Sequence, residues 1–311
     1  KTREFLNKIQ KVQYRLNPFT VSIAEVLEKQ EHEVGKFKPI IHLEEPPKPL
    51  DIDTNKEALR DWKERANKIH TKNVNSFRVS CRTRMTLNVM KEFKDKVYWI
   101  PWSFDYRGRT YPIPSFLTPQ SDDFGKSLIR FARESEITED GKQWLAFHVA
   151  TTYGLDKATM DERKAWPFIP KNAALIKRVA TDPIGNIGDW EKADEPWQFA
   201  AACEEFYAVV VTNSRSTTGL PVATDATCSG MQVLAGLARD KSTASMVNVI
   251  PNDKPQDAYK VIADKALPNI PERIRPYWDR KCTKRTVMTI PYNAKPFSNR
   301  SYIREALKEK G

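Results

Sequence analysis

The sequence predicts a mixed α+β fold, mostly helical with a small sheet, and three observations carry that expectation. Helical periodicity runs through residues 55–96, and an aromatic, β-branched stretch opens at Val97. Beyond it come further helical blocks at 139–153 and 197–211, separated by a loop that holds a proline and two glycines.

Taken in order, residues 1–35 read as helical, with Phe5, Leu6, Ile9, Val12, Tyr14 and Leu16, then Val21, Ile23, Ala24, Val26 and Leu27. The run Glu44-Glu45-Pro46-Pro47-Lys48-Pro49 forbids helix and predicts an extended connector. Helix resumes after a cap at Thr54 or Asn55. The first hundred residues thus form an elongated, basic, helical unit. Val97 to Trp102 reads as strand and Asp105 to Arg109 as a turn. Between the helices at 139–153 and 197–211, residues 182–188 form the loop. Pro221 to Thr224 reads as a short buried strand, Ser229 to Ala238 as a helix, and further helices follow at 255–265 and from 279 onward. Neither an internal repeat nor a low-complexity tract is present.

At 311 residues the chain is long enough for two domains with cores of their own. No apolar run approaches the roughly 20 residues a membrane-spanning helix needs, so no membrane role is expected. The chain opens on Lys1-Thr2-Arg3, without methionine or a signal peptide, and stops at Lys310-Gly311 in what reads as a continuing helix. An internal piece of a longer protein is the expectation. Cys81, Cys203, Cys228 and Cys282 form no C-x-x-C pair, and the four histidines are equally scattered. Zinc and a disulfide framework are not indicated, and free thiols in a reducing compartment are expected.

The net charge of +11 points to an anionic partner or to a merely soluble basic surface. Its distribution favours the partner. From Arg65 to Lys91 there are seven cations, including Arg78, Arg82 and Arg84, and no acidic residue. A solvated helix face mixes signs to gain i,i+4 pairs, whereas a phosphate backbone explains a one-signed stripe.

Three segments carry candidate chemistry. In Thr224-Asp225-Ala226-Thr227-Cys228-Ser229-Gly230, a carboxylate ends a strand and small residues open a helix. Such a group could hold a metal ion, but taken by itself it more often serves as a turn or helix cap. In the run Arg280 to Tyr292, Arg280, Lys284, Met288 and Tyr292 recur every fourth residue. On a continuous helix they would share one face about 18 Å long. Two cations, an apolar surface and a phenol in a row suit a nucleoside triphosphate or a basic amphipathic helix. In Asp105-Tyr106-Arg107-Gly108-Arg109-Thr110-Tyr111, two arginines flank a glycine, as in a phosphate-tracking turn or a surface turn with an internal Asp–Arg pair. Phosphate-binding glycine loops, nucleophile elbows and zinc-protease helices are absent from the sequence.

Together and in this order the three segments resemble the single-subunit DNA-directed RNA polymerases of phages, mitochondria and chloroplasts. Asp105 to Tyr111 is similar to that family's D-[WY]-R-G-R-x-Y signature. Asp225 to Gln232 is similar to its first palm motif, D-x-x-C-S-G-x-Q, and Thr283 to Tyr292 to its fingers motif, T-K-R-x-V-M-T-x-x-Y. The likeness continues through Pro119-Gln120 and Trp144-Leu145 with His148, and it covers nearly the whole chain.

The resemblance implies a right-hand polymerase fold. Residues 1–98 would form a thumb-like basic region, 99–250 part of the palm and 251–311 the start of the fingers. It implies template-directed nucleotidyl transfer with two magnesium ions. Asp225 would be a catalytic metal ligand, with the Ala226 carbonyl assisting. Arg280 and Lys284 would hold the triphosphate, Lys284 would serve as proton donor to pyrophosphate, and Tyr292 would select ribose. Arg107, Arg109 and Lys126 would touch template or growing RNA, as would Arg78 and Arg82 in the basic stripe. The implied partners are double-stranded DNA template and promoter, nascent RNA and ribonucleoside triphosphates. The intact enzyme would be a monomer in the cytoplasm of an infected bacterium, or alternatively in a mitochondrion or chloroplast.

The sequence departs from the family at three points. Asn293 stands where the family has glycine, Pro291 precedes Tyr292, and no His-Asp pair supplies the second catalytic aspartate. Polymerisation by these 311 residues alone is therefore not expected. Two alternatives stay open: a non-catalytic nucleic-acid-binding relic, and a family A DNA polymerase, whose first motif D-Y-S-x-I-E carries a glutamate absent after Asp225.

Overall fold

The computed structural model describes residues 2–106, 108–156, 158–224, 226 and 228–310. Arg107 and Asp225, both singled out by sequence, lie outside the described residues. The chain divides into two units, Lys1–Asp156 with Met160–Val222, and Lys157–Thr159 with Ala223–Gly311.

In the first unit the expected N-terminal helix is broken. Helix α1 (Thr2–Ile9) gives way to strand β1 (Gln13–Leu16) before helix α2 (Pro18–Lys29) begins. Tyr14 and Leu16 point inward while Gln13 and Arg15 face outward, a period of two that a four-residue run hides inside a helical window. Asn17 caps α2 by accepting from the Phe19 N–H at 3.2 Å, and Pro18 takes the first helical position, where no N–H is needed.

Helix α3 (Lys56–Val79) starts at Asn55, whose side chain accepts from the N–H groups of Glu57 and Ala58. No residue of this 24-residue helix is fully buried. What holds it is an extended segment laid alongside. The Trp62 indole donates to the Pro46 carbonyl at 2.8 Å, and the Asn73 amide donates to the Leu43 carbonyl (2.8 Å) and accepts from its N–H (2.9 Å). The Ser76 hydroxyl accepts from the Ile41 N–H at 2.8 Å. The prolines deny this segment a helix of its own, so side chains of α3 satisfy its backbone. The helix expected over 55–96 is interrupted at Ser80 and resumes as α4 (Cys81–Phe93).

Next come β2 (Tyr98–Trp99), β3 (Trp102–Phe104), β4 (Thr110–Pro112), α5 (Asp123–Ser127), β5 (Ile129–Phe131) and β6 (Ser135–Glu136). Strand β1 is the centre of an antiparallel sheet ordered β2-β1-β5, with Tyr14 opposite Tyr98 and Leu16 opposite Ile129. Strands β3 and β4 form a hairpin with Phe104 opposite Thr110, closed by the Asp105–Arg109 turn.

Helix α6 (Glu139–Tyr153) spans the range its periodicity predicts, capped by the Thr138 hydroxyl accepting from Gly141 N–H at 3.1 Å. It is followed by α7 (Met160–Ala165), α8 (Pro170–Thr181), α9 (Ile187–Trp190), α10 (Pro196–Phe206) and β7 (Thr217–Thr218), which pairs with β6. Every residue of α10 except Glu204 is buried, as befits a helix that is apolar nearly all round and packs against α5, α6 and α8. Trp197 stacks obliquely on Phe37 and Phe124 and meets Trp190 edge-on. Glu205 is fully buried on α10, within 3.6 Å of the Arg130 guanidinium and 3.4 Å of Arg215, and accepts from the Thr218 hydroxyl at 2.6 Å. Past Phe206 the helix loosens into a π turn over Tyr207–Val211.

Residues 221–224, expected as a buried strand, pair with nothing among the described residues and run as half-buried to exposed loop. Pro221 lacks an N–H for a ladder, and a four-residue run names no partner. The second unit then holds α11 (Ser229–Ala238), α12 (Lys241–Met246), α13 (Ala258–Ala266), α14 (Arg280–Thr289) and α15 (Pro296–Lys308). Ala235, Ala244, Val247 and Ala258 make its small core, and α14 packs on both α13 and α15. The helix expected from 279 onward is thus two helices separated by the turn around Pro291. Among the described residues no helix is long and apolar enough to cross a membrane.

Candidate nucleotide-binding site

The site lies in the second unit and is built from α11, α13, α14 and the turn that ends α14. Cys228 takes a left-handed conformation, φ 54°, and from it α11 departs at Ser229. Gly230, in the first turn of α11, faces Pro291 and Tyr292: a β-carbon there would lie 3.2 Å from Pro291 Cβ and 4.0 Å from the Tyr292 hydroxyl. The palm-type motif and the aromatic end of the fingers-type motif, some sixty residues apart, therefore meet.

Asp279 starts α14, its carboxylate accepting from the Lys281 N–H at 2.8 Å. Cys282, Thr283 and Val287 form the buried face, while Lys284 and Met288 are exposed. Arg280 is half-buried and held on two sides. Its Nε donates to Asp257 Oδ2, and its guanidinium lies 5.2 Å from the centre of the Tyr259 ring. The other Asp257 oxygen caps α13 by accepting from the N–H groups of Tyr259 (3.1 Å) and Lys260 (3.2 Å). Burial acts to raise the Asp257 carboxyl, but hydrogen bonds from Arg280 and from the Lys260 and Tyr259 backbone outweigh it and leave its pKa below the ordinary value. The Tyr259 carbonyl accepts from the Thr283 hydroxyl at 2.7 Å, fixing α13 to α14. Burial, then a hydrogen bond with the Cys228 thiol, raises the Tyr259 phenol. Tyr259 thus joins the start of α11 to the start of α14.

Neither Asp257 nor Tyr259 was singled out by sequence. The available signal was the Asp257 cap before a helical block. Its second oxygen reaches a partner 23 residues away, which no local pattern reveals.

Arg280 and Lys284 share a face of α14 as their spacing predicts, but the row does not continue to Tyr292 on one α-helix. The helix ends at Thr289, and Ile290–Tyr292 forms a 3-10 turn that places Pro291 where its missing N–H disrupts no long ladder. Asn293 follows with φ 63° and ψ 35°, a left-handed conformation. That explains why asparagine stands at a position where the resembled family has glycine, since asparagine is among the few residues tolerated there.

The remaining candidates belong to the first unit. In the hairpin turn the Asp105 N–H donates to the Arg109 carbonyl and the Arg109 N–H to Asp105 Oδ1, both at 2.9 Å, and Gly108 takes φ 80°. Lys126 lies half-buried in α5. Arg78 is exposed on α3 with no side-chain partner among the described residues, whereas Arg82 on α4 is paired with Asp122 at 2.9 Å. Other cations of the stripe are also paired, Arg65 with Asp61 and Lys91 with Glu28.

Among the described residues no group of three or more carboxylate, imidazole or thiol side chains converges where a metal ion could sit. Asp225 lies outside the described residues.

The mostly helical α+β architecture with its small antiparallel sheets is that of a right-hand polymerase fragment. The chain is a member of the DNA-dependent RNA polymerase family, whose model matches residues 135–311. It is 32% identical to the DNA-directed RNA polymerase of Enterobacteria phage T3 over 96% of its own length. It is 33% identical to that of Enterobacteria phage K11 over 84%, and 30% identical to the mitochondrial enzyme of Neurospora crassa over 85%. The chain spans 37%, 28% and 19% of the lengths of these relatives.

Proposed function

We propose that this chain supplies the triphosphate-binding side of a DNA-directed RNA polymerase active site. Residues 1–98 serve as a thumb-like region, 99–250 as part of the palm and 251–311 as the opening of the fingers. The observation that carries this is the placement of a held Arg280 and an exposed Lys284 on one face of α14, with Tyr292, in the turn that ends this helix, beside Gly230. A guanidinium grips phosphate through a planar fork and an ammonium as a point charge. In this reading Lys284 also donates the proton to departing pyrophosphate, and Tyr292 lies by the sugar and selects ribose. The first motif carries no glutamate after Asp225 to oppose a 2′-hydroxyl, which favours ribonucleotides.

Template DNA and nascent RNA are the proposed partners of Arg107, Arg109, Lys126 and Arg78, whereas Arg82, expected to act with them, is engaged by Asp122. The proposed setting is a bacterium infected by a phage. In this reading Asp225 and the Ala226 carbonyl would hold magnesium, which would supply Lewis-acid stabilisation of the phosphates. The second aspartate motif has no counterpart in this sequence, so metal-dependent chemistry is not assigned to these residues alone.

The test is binding of ATP to the 311-residue chain by equilibrium dialysis. Arg280→Ala and Lys284→Ala are each expected to weaken it roughly tenfold, the order of a charge-assisted hydrogen bond. Unchanged affinity in both variants would remove the basis for the assignment. Incubated with a primed template and ribonucleotides, the chain alone is expected to extend nothing.

A further inference from the structure

We propose that Asp257 is the positioning residue of the triphosphate site, locking the plane of the Arg280 guanidinium so that its terminal nitrogens meet phosphate. The proposal rests on the assignment of Arg280 to triphosphate binding. An arginine has about 2 kcal/mol of rotamer entropy to lose when it grips an anion, and pre-ordering the fork avoids part of that loss.

The structure orders Arg280 from two directions. One Asp257 oxygen takes Nε, and the Tyr259 ring supports the guanidinium face at 5.2 Å. The two Nη groups have no hydrogen-bond partner among the described residues, and the side chain keeps one third of its surface open. A carboxylate that merely competed with phosphate would hold the Nη edge that phosphate needs, and this one holds the side nitrogen instead. Asp257 is itself anchored, because its other oxygen caps α13 through two backbone N–H groups. The fork is therefore referenced to the backbone of α13, and α13 is pinned to α14 by the Thr283 hydroxyl on the Tyr259 carbonyl at 2.7 Å. Four polar contacts and a ring thus fix the orientation of one phosphate ligand.

The test exploits the two oxygens' separate tasks. Asparagine and serine both cap helices, so Asp257→Asn and Asp257→Ser keep the cap of α13 while removing the acceptor charge for Arg280. With the 311-residue chain in equilibrium dialysis, each variant is expected to weaken ATP binding about fivefold and leave adenosine binding unchanged. In an Arg280→Ala background the same changes are expected to add nothing, because the group they position is gone. Unaltered or tighter ATP binding in both variants overturns the proposal and makes Asp257 a competitor of the phosphate. An equal loss with and without Arg280 overturns it as well, and leaves only a structural role. If Arg280→Ala by itself leaves ATP affinity intact, the assignment of the site to triphosphate fails, an outcome visible before Asp257 is touched.

Discussion

Gly230 stands against the pyrrolidine ring of Pro291: a β-carbon on Gly230 would lie 3.2 Å from Pro291 Cβ and 3.3 Å from Cγ. The absence of a side chain lets the first turn of α11 approach the turn that carries Tyr292. In an open helix, glycine costs about 1 kcal/mol relative to alanine, so its presence here trades local helix stability for contact. Valine adds two methyl groups that a rigid proline ring cannot admit by rotating away. Gly230→Val is expected to destabilise the second unit by about 2 kcal/mol, the order of overpacking. It should also weaken ATP binding by displacing Tyr292. Urea unfolding and equilibrium dialysis check both, and a variant as stable as the parent would show that the contact carries no weight.

Asn293 ends the same turn in the left-handed region, φ 63°. A residue with a β-carbon and no compensating amide meets a cost of about 1–2 kcal/mol in this conformation, and glycine meets none. Asn293→Ala should therefore lower stability by about 1 kcal/mol, while Asn293→Gly should leave it unchanged or raise it slightly. The order of the two midpoints in one denaturant series decides it. Alanine at least as stable as glycine would contradict the backbone explanation.

Much of this site was legible in the sequence, and the part that was not has a physical reason. Residue types with strong local meaning marked the ends of elements: Asn55, one of two cap candidates, does cap α3, and of the loop expected over 182–188 residues 182–186 form the connection while Ile187 and Gly188 already belong to α9. Spacing placed Arg280 and Lys284 on one face because an unbroken helix runs between them. Spacing failed at Tyr292, where Pro291 ends the α-helix and changes the angle per residue. Strand β1 was hidden because its pairing with Tyr98 and Ile129 is decided by residues more than eighty positions away. The Asp257–Arg280 pair was hidden for the same kind of reason, being a tertiary contact between two helix starts.

His148 lies in the middle of α6, only 5% exposed, and burial lowers its pKa from 6.5 to about 4. Between these two values the unfolded chain binds more protons than the folded one. Stability therefore falls as pH drops through that window and is unaffected by this group above it. The span corresponds to about 3 kcal/mol at most. Replacing His148 with glutamine removes the titration, so the loss of stability between pH 6.5 and about 4 should be shallower by up to that amount. Parallel pH profiles of parent and variant would indicate that the imidazole accepts its proton without unfolding anything.

Arg78 and Arg82 were expected to act alike on nucleic acid, and their surroundings separate them. Arg78 is exposed and unpaired among the described residues, while Arg82 is bound to Asp122, whose other oxygen accepts from the Gly125 N–H at 3.0 Å to cap α5. A free guanidinium releases a counterion when it meets phosphate, whereas a paired one must first give up its carboxylate. Arg78→Ala should therefore weaken binding of an RNA–DNA hybrid and reduce the slope of log affinity against log salt by roughly one. Arg82→Ala should leave the slope nearly unchanged and loosen the link between α4 and α5, lowering stability by about 0.5–1 kcal/mol. Fluorescence anisotropy across a salt series measures the first, and urea unfolding the second. If Arg82→Ala changes the slope as much as Arg78→Ala does, the ion pair with Asp122 does not survive contact with nucleic acid, and both arginines belong to the interface.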